Sequence, residues 1–130
     1  KKKKKDKNNP IYTEKIQNKT EEILVSEENG VMSGFLAFSK NEKFIELLQI
    51  YIDPRMKKQG IGRKLISFLE NLATDRNIRK IILWVIRDNE AAIAFYEKLG
   101  FQNDKKERHL DKYKVQQVRF SKKITNGNII

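Results

Sequence analysis

The sequence contains no cysteine. That excludes disulfides, thiolate nucleophiles and cysteine-held zinc or iron–sulfur centres. Histidine is nearly as scarce: His109 stands alone in a charged stretch, which suits solvent exposure and cannot by itself suggest a metal site. Long apolar runs are missing as well. No stretch approaches the length of a membrane span, and the basic N-terminus is not followed by the apolar segment of a signal peptide. A soluble, cytoplasmic protein with no membrane partner is the expectation, and the missing cysteines fit a reducing compartment.

What is present is charge. Lys and Arg number 28 against 17 acidic residues, a formal +11, which favours anionic partners such as a phosphorylated cofactor or a nucleic acid. Five of those lysines, Lys1 to Lys5, form a local tail that reads as a solvated terminus, so a nucleic-acid partner is disfavoured. At 130 residues the chain is expected to be a single domain, 1–130, with an economical core.

Taken in order, Ile11 to Thr20 places Ile11, Tyr12 and Ile16 at near-helical spacing and predicts a short amphipathic helix. Glu21 to Glu27 reads as a strand. Glu28-Asn29-Gly30 is a turn signal, and Val31 to Phe38 completes a hairpin. Phe44 to Ile52 is a third strand, apolar enough to be central. Gly62 to Leu72 carries Leu65, Ile66, Leu69 and Leu72, the stripe of a helix lying on a sheet. Lys80 to Ile86 is a buried strand, reached by a right-handed parallel crossover. Asn89 to Leu99 is a second helix ended by Gly100. Phe101 to Asn103 is read as a short strand, Asp104 to Lys112 as a charged loop, and Tyr113 to Phe120 as the last strand. The fold class expected is α/β (α+β), a mixed and mostly antiparallel central sheet with one β-α-β crossover.

The crossover begins at Asp53-Pro54-Arg55-Met56-Lys57-Lys58-Gln59-Gly60-Ile61-Gly62-Arg63-Lys64. Gly60 and Gly62 let the backbone turn tightly and approach a ligand, and the helix that follows leaves unpaired N–H groups at its positive end. Such an end, among Arg55, Lys57, Lys58, Arg63 and Lys64, suits phosphate. A glycine-softened loop bearing a solvated charge run is the plainer reading. The run is not a P-loop, which needs Gly-Lys-Ser/Thr, nor a dinucleotide fingerprint, which needs a third glycine and a later acid.

Two motifs together resemble the GNAT superfamily of acetyl-coenzyme A dependent N-acetyltransferases. Lys57-Lys58-Gln59-Gly60-Ile61-Gly62 matches its Arg/Gln-x-x-Gly-x-Gly/Ala motif, with Lys57 replacing the usual Arg or Gln. Asn89-Glu90-Ala91-Ala92-Ile93-Ala94-Phe95-Tyr96-Glu97-Lys98-Leu99-Gly100-Phe101 matches a second family signature. The resemblance spans about residues 23–120.

It implies an enzyme that moves the acetyl group of acetyl-CoA directly to a primary amine through a tetrahedral intermediate, without a metal. Lys57, Gln59, Gly60, Ile61, Gly62, Arg63 and Lys64 would hold the coenzyme's phosphates. Ile50 and Ile52 would line the pantetheine arm, in a slot where the third strand splays from the next. Asn89 would contact that arm, although its residue type also makes it a helix N-cap.

Tyr96 is implied as the general acid, against a plain role as a half-buried aromatic. Glu46 is implied as the base, against an ordinary solvent-facing strand position, with Glu22 and Glu27 as weaker choices. Only about 20 residues precede the hairpin, so the N-terminal segment is expected to be shortened relative to the family. The acceptor amine stays open, as does a homodimer. The alternative function is a non-catalytic acyl-CoA-binding regulatory domain of the same fold.

Overall fold

The computed structural model describes residues 11–15, 21–56, 60–112 and 114–125. Asn29 and Gly30 both adopt left-handed backbone angles (φ 54° and 80°), the pair that a tight hairpin turn requires. They join β2 (Glu21–Glu28) to β3 (Val31–Lys40), which pair antiparallel, as predicted. At the next turn the Asn41 side chain accepts hydrogen bonds from the backbone N–H groups of Lys43 and Phe44, and the chain reverses into β4 (Ile45–Ile52). A 3₁₀ turn (Pro54–Met56) and helix α1 (Ile61–Asp75) then lead to β5 (Lys80–Ile86). This strand lies parallel to β4, which makes the predicted crossover. Helix α2 (Glu90–Lys98) follows, and β6 (Gln102–Leu110) and β7 (Val115–Lys123) close the chain.

With β1 (Ile11–Lys15) the described strands form one sheet in the order β1-β2-β3-β4-β5-β7-β6. Every neighbouring pair except β4–β5 is antiparallel.

Two expectations are corrected. Ile11 to Lys15 is a strand paired with β2, not the start of an amphipathic helix. Ile11 joins the main core while Tyr12, one residue on, hydrogen-bonds Glu27, so the two consecutive apolar residues serve opposite faces of the sheet. Residues 16–20 lie outside the described set. The charged run after Asn103 is also a strand, not a loop: β6 extends to Leu110, with a register break between Asn103 and Glu107 where Lys105 takes φ 72°. It forms because β7 offers it a backbone ladder at the sheet edge, and its exposed charges discourage further pairing there. The last strand starts at Val115 and runs to Lys123, and Tyr113 lies outside the described residues.

The core sits on one face of the sheet. Leu24, Leu36, Phe38, Ile45, Leu47, Ile81, Leu83, Val85, Val118 and Phe120 from the strands meet Leu65, Ile66, Leu69 and Ala73 of α1, and Tyr96 and Leu99 at the end of α2. Polar ties fix the helix ends to this layer. Lys122 donates to the Leu99 carbonyl at 2.7 Å and to Glu70 of α1 at 2.8 Å, joining both helices to β7. Buried Glu22 accepts from Lys40 at 2.7 Å and from Arg76, just past α1, at 3.4 Å. These ties hold the C-terminal end of α1. Its N-terminal end is held differently, and that end carries the site.

Candidate coenzyme site

The chain reaches α1 through a turn fixed by Asp53. Its backbone N–H donates to Ser33 O at 2.8 Å, and its carboxylate accepts from the Arg55 N–H at 2.9 Å and from the Arg55 guanidinium at 2.6 and 3.1 Å. These hydrogen bonds from Arg55 hold the Asp53 carboxyl down at about 2. The sequence reading counted Arg55 among the cations of the turn. In the structure its charge is matched by Asp53, so it adds little net field to the site.

Gly60 then takes φ 74°, ψ 18° as the residue before α1, a left-handed conformation that glycine adopts without strain. Its carbonyl accepts the first helical bond, from Lys64 N–H at 3.0 Å. Among the described residues no side chain caps the helix, and no acidic residue lies in its first turn. The N–H groups of Ile61, Gly62 and Arg63 therefore end the helix as donors toward whatever lies in front of it.

In front of it is a cavity of about 360 Å³. Ile52 at the end of β4, Met56, the 60–63 turn, and Phe95, Lys98 and Leu99 on or just after α2 line it. The walls are mainly apolar, and among the described residues that line it Arg63 and Lys98 are cations and none is an acid. Gly62 sets how near the two helices come. A Cβ built there would lie 3.0 Å from Phe95 Cζ and 3.2 Å from its Cε1, so any side chain would be driven into the ring that forms the cavity wall.

A second cavity, about 540 Å³, lies at the opposite end of α1 among Lys40, Asn41, Glu42, Arg76, Asn77 and Ile78. It is larger, but its two cations are committed to Glu22. Chemistry and not volume favours the first.

The β4 and β5 strands pair for three rungs only, Ile45↔Ile81, Glu46↔Ile82 and Leu47↔Leu83. Beyond these β4 continues to Ile52 and β5 to Ile86 with no ladder between them. A register irregularity in the β3–β4 ladder, between the rungs of Ala37 and Phe38, accompanies the divergence. The sheet thus opens beside the cavity, at the place where the resemblance implied a slot.

The predicted site residues divide as follows. Gly60, Ile61, Gly62, Arg63 and Ile52 line the cavity. Ile50 packs on the core one position further along the same face. Lys64 is exposed on the first turn of α1 and is not among the lining residues. Lys57 and Gln59 lie outside the described residues. Asn89 is the N-cap of α2, its side chain accepting from Ala92 N–H at 3.1 Å.

Tyr96 is 9% exposed, set edge-on between Phe95 (centroids 5.2 Å apart) and Phe101 (5.9 Å). Burial raises its phenol above the ordinary value of 10, so it is protonated at neutral pH. Glu46 is half-buried at the middle rung of the β4–β5 pair, on the face away from the helices. Of the weaker base candidates, Glu22 is bound to Lys40 and Arg76, and Glu27 accepts the Tyr12 hydroxyl at 2.7 Å. His109 is exposed at the sheet edge. Among the described residues no group of His, Asp and Glu could hold a metal ion, and no described helix is long and apolar enough to cross a membrane.

Sequence reasoning passed over Lys98 and Met56. Lys98 had a readable signal, because it stands three residues after Phe95 on one helix and so shares its face. Met56 had none, since the 3₁₀ turn that carries it depends on the Asp53–Arg55 pairing.

An uncapped helix start, a glycine-lined cavity and a sheet that opens between two parallel strands thus meet at one end of α1 in this mixed α/β fold. The model of the acetyltransferase (GNAT) family matches residues 2–101, and the chain belongs to that family. It is 36% identical over 87 residues to an uncharacterized N-acetyltransferase, MJ1207, of Methanocaldococcus jannaschii, covering 62% of this chain and 38% of that one. It is 32% identical over 84 residues to the L-amino acid N-acyltransferase MnaT of Escherichia coli, covering 61% and 49%. The chain thus spans less than half the length of these two relatives. A GNAT family acetyltransferase from Elizabethkingia anophelis, solved with acetyl-CoA bound, shares the fold at a TM-score of 0.73 and 16% identity, over 80% of this chain and 76% of that one.

Proposed function

We propose that this chain binds acetyl-CoA and transfers its acetyl group directly to a primary amine. The observation that carries the reading is the uncapped start of α1, which opens between Arg63 and Lys98 into the cavity beside the β4–β5 gap. The site fits the coenzyme in parts. The N–H groups of Ile61, Gly62 and Arg63, with the helix dipole and the two cations, suit its pyrophosphate. The apolar wall of Ile52, Phe95 and Leu99 suits its pantetheine arm. Gly62 leaves the space that a Cβ would close.

When bound, the coenzyme supplies an acetyl thioester, whose carbonyl carbon is open to attack by a neutral amine. The chain's residues then have distinct tasks. Glu46 takes up the proton that the amine gives up as its nitrogen bonds to the acetyl carbon. Tyr96, kept protonated by burial, donates a proton to the sulfur as the carbon–sulfur bond breaks. Solvent returns the proton from Glu46 to Tyr96, so the cycle balances. Asn89 acts through structure, since its cap fixes the start of the helix that carries Phe95, Tyr96 and Lys98. A cytoplasmic setting is part of the same proposal and rests on the absence of cysteine.

A coenzyme A titration, paired with a thiol-release assay over an amine panel, tests this directly. Micromolar binding with amine-dependent release is expected. Tight binding without release would leave the acyl-CoA-binding regulatory domain as the better reading, and absence of binding would remove both.

A further inference from the structure

The β4–β5 gap has two mouths, and the second lies on the sheet face away from the helices. Alternation along the strands places Phe35 and Tyr51 on that face at one lip, and Trp84 and Ile86 at the other. Phe35 and Tyr51 stack at 5.7 Å between centroids. Tyr51 is 40% exposed and Ile86 45%, so apolar surface is presented to solvent beside the gap.

Two groups of opposite charge flank this surface. Glu46 faces it from the middle paired rung, and Trp84 begins about 7 Å further along β5, two residues beyond the partner of Glu46. Over Trp84 lies the Arg108 guanidinium, 4.3 Å from the ring centroid. Gln117 accepts from Arg108 Nε at 2.7 Å and fixes its orientation. No carboxylate pairs with Arg108 among the described residues, whereas its neighbour Arg119, paired across from Trp84 on the same face, is taken by Asp104 at 2.8 Å. An oriented guanidinium without an acid, at the edge of an aromatic surface, suits bidentate binding of a carboxylate.

Resting on the acetyl-transfer reading, we propose that the acceptor is a free α-amino acid with an apolar or aromatic side chain, its carboxylate bound by Arg108. The amine lies toward Glu46 and the gap, and the side chain lies against Tyr51, Trp84 and Ile86. Polyamines are disfavoured because Arg108 repels them, and peptide N-termini because they lack the adjacent carboxylate.

The test measures thiol release with L-phenylalanine, L-leucine and L-methionine, the amide of each, phenethylamine, spermidine and an alanine-led tripeptide. Coenzyme A affinity is titrated alongside. The free amino acids are expected to exceed their amides in kcat/KM by at least tenfold. Arg108→Gln should erase that preference by raising KM, with kcat and coenzyme affinity kept, and Arg108→Lys should restore part of it. Equal use of acid and amide, preference for spermidine or the tripeptide, or an unchanged preference in Arg108→Gln would overturn the assignment. The wild-type comparison of acid with amide needs no variant, so it decides even if a substitution disturbs folding. Coenzyme binding with release to other amines would sink this proposal alone, whereas loss of coenzyme binding in the wild-type chain would sink the acetyl-transfer reading beneath it.

Discussion

Replacing Gly62 with valine would put a branched side chain against Phe95 of α2. Its Cβ would start 3.0 Å from Phe95 Cζ, 3.2 Å from Cε1 and 3.8 Å from Ile52 Cδ1. Carbon atoms rest at about 3.5–4.0 Å, so Phe95 must move by roughly half an ångström or more. Overpacking of this kind costs about 1–3 kcal/mol, and the better helix propensity of valine over glycine returns only a few tenths. The melting point should fall by roughly 5–10 °C.

The larger effect should be on the ligand. Phe95 and Ile52 both line the cavity, so the added methyls occupy the space beside the N–H donors. Coenzyme A affinity should drop at least tenfold, about 1.4 kcal/mol or more. Gly60→Ala provides the contrast. Its φ of 74° strains an alanine by about 1–2 kcal/mol, a comparable loss of stability. Nothing lies within 4 Å of the added Cβ, however, so the cavity stays open and affinity should fall far less. Calorimetric titration of both variants, each first checked for folding by thermal melting, separates lost stability from lost space. A folded Gly62→Val protein with wild-type affinity would refute the placement.

Glu22→Gln should destabilise the chain by about 1–3 kcal/mol, because it leaves Lys40 and Arg76 without their shared carboxylate, and both cations are part-exposed, which limits the cost. Burial alone would raise the Glu22 pKa, but hydrogen bonds from Lys40 and Arg76 outweigh it and the net shift is downward. Its contribution is therefore complete above the ordinary glutamate value and is lost as pH falls through the lowered folded value, so melting curves from pH 7 to pH 3 should fall less steeply for Glu22→Gln than for the wild type, the remaining slope coming from Asp53 and Asp104. For Asp53, held at about 2 by Arg55, NMR titration of the carboxyl should show a midpoint below the ordinary 3.8, and a midpoint at that value would remove the pairing with Arg55. Tyr96→Phe should lower kcat at least tenfold with coenzyme affinity unchanged, and unchanged turnover across pH would remove the general-acid role.

Most of the architecture was legible where apolar period and turn chemistry agreed. Asn29-Gly30 marked the first hairpin, the Leu65-Ile66-Leu69-Leu72 stripe marked α1, and the unbroken Ile81 to Val85 run marked a central strand of the sheet. The misses have physical causes. Over five residues Ile11 and Tyr12 fit a helical stripe as well as two faces of a strand, and only pairing with β2 decides between them. The β6 sequence Gln102–Leu110 has no apolar alternation at all, since an edge strand held by backbone bonds to β7 buries almost no side chain. At the site, Gly60 and Gly62 were legible from the backbone they permit. The loss of Arg55 to Asp53, and the orientation of Arg108 over Trp84, depend on neighbours that only the folded chain provides.

The central claim is that acetyl-CoA sits against the start of α1. The most direct measurement is a two-dimensional ¹⁵N–¹H NMR titration of the labelled chain with acetyl-CoA. The amides of Ile61, Gly62 and Arg63 should show the largest shifts, with Phe95 and Lys98 following and the 40–43 and 76–78 segments unmoved. Saturating acetyl-CoA that leaves the 61–63 amides in place, or shifts the opposite end of α1 instead, would contradict the account.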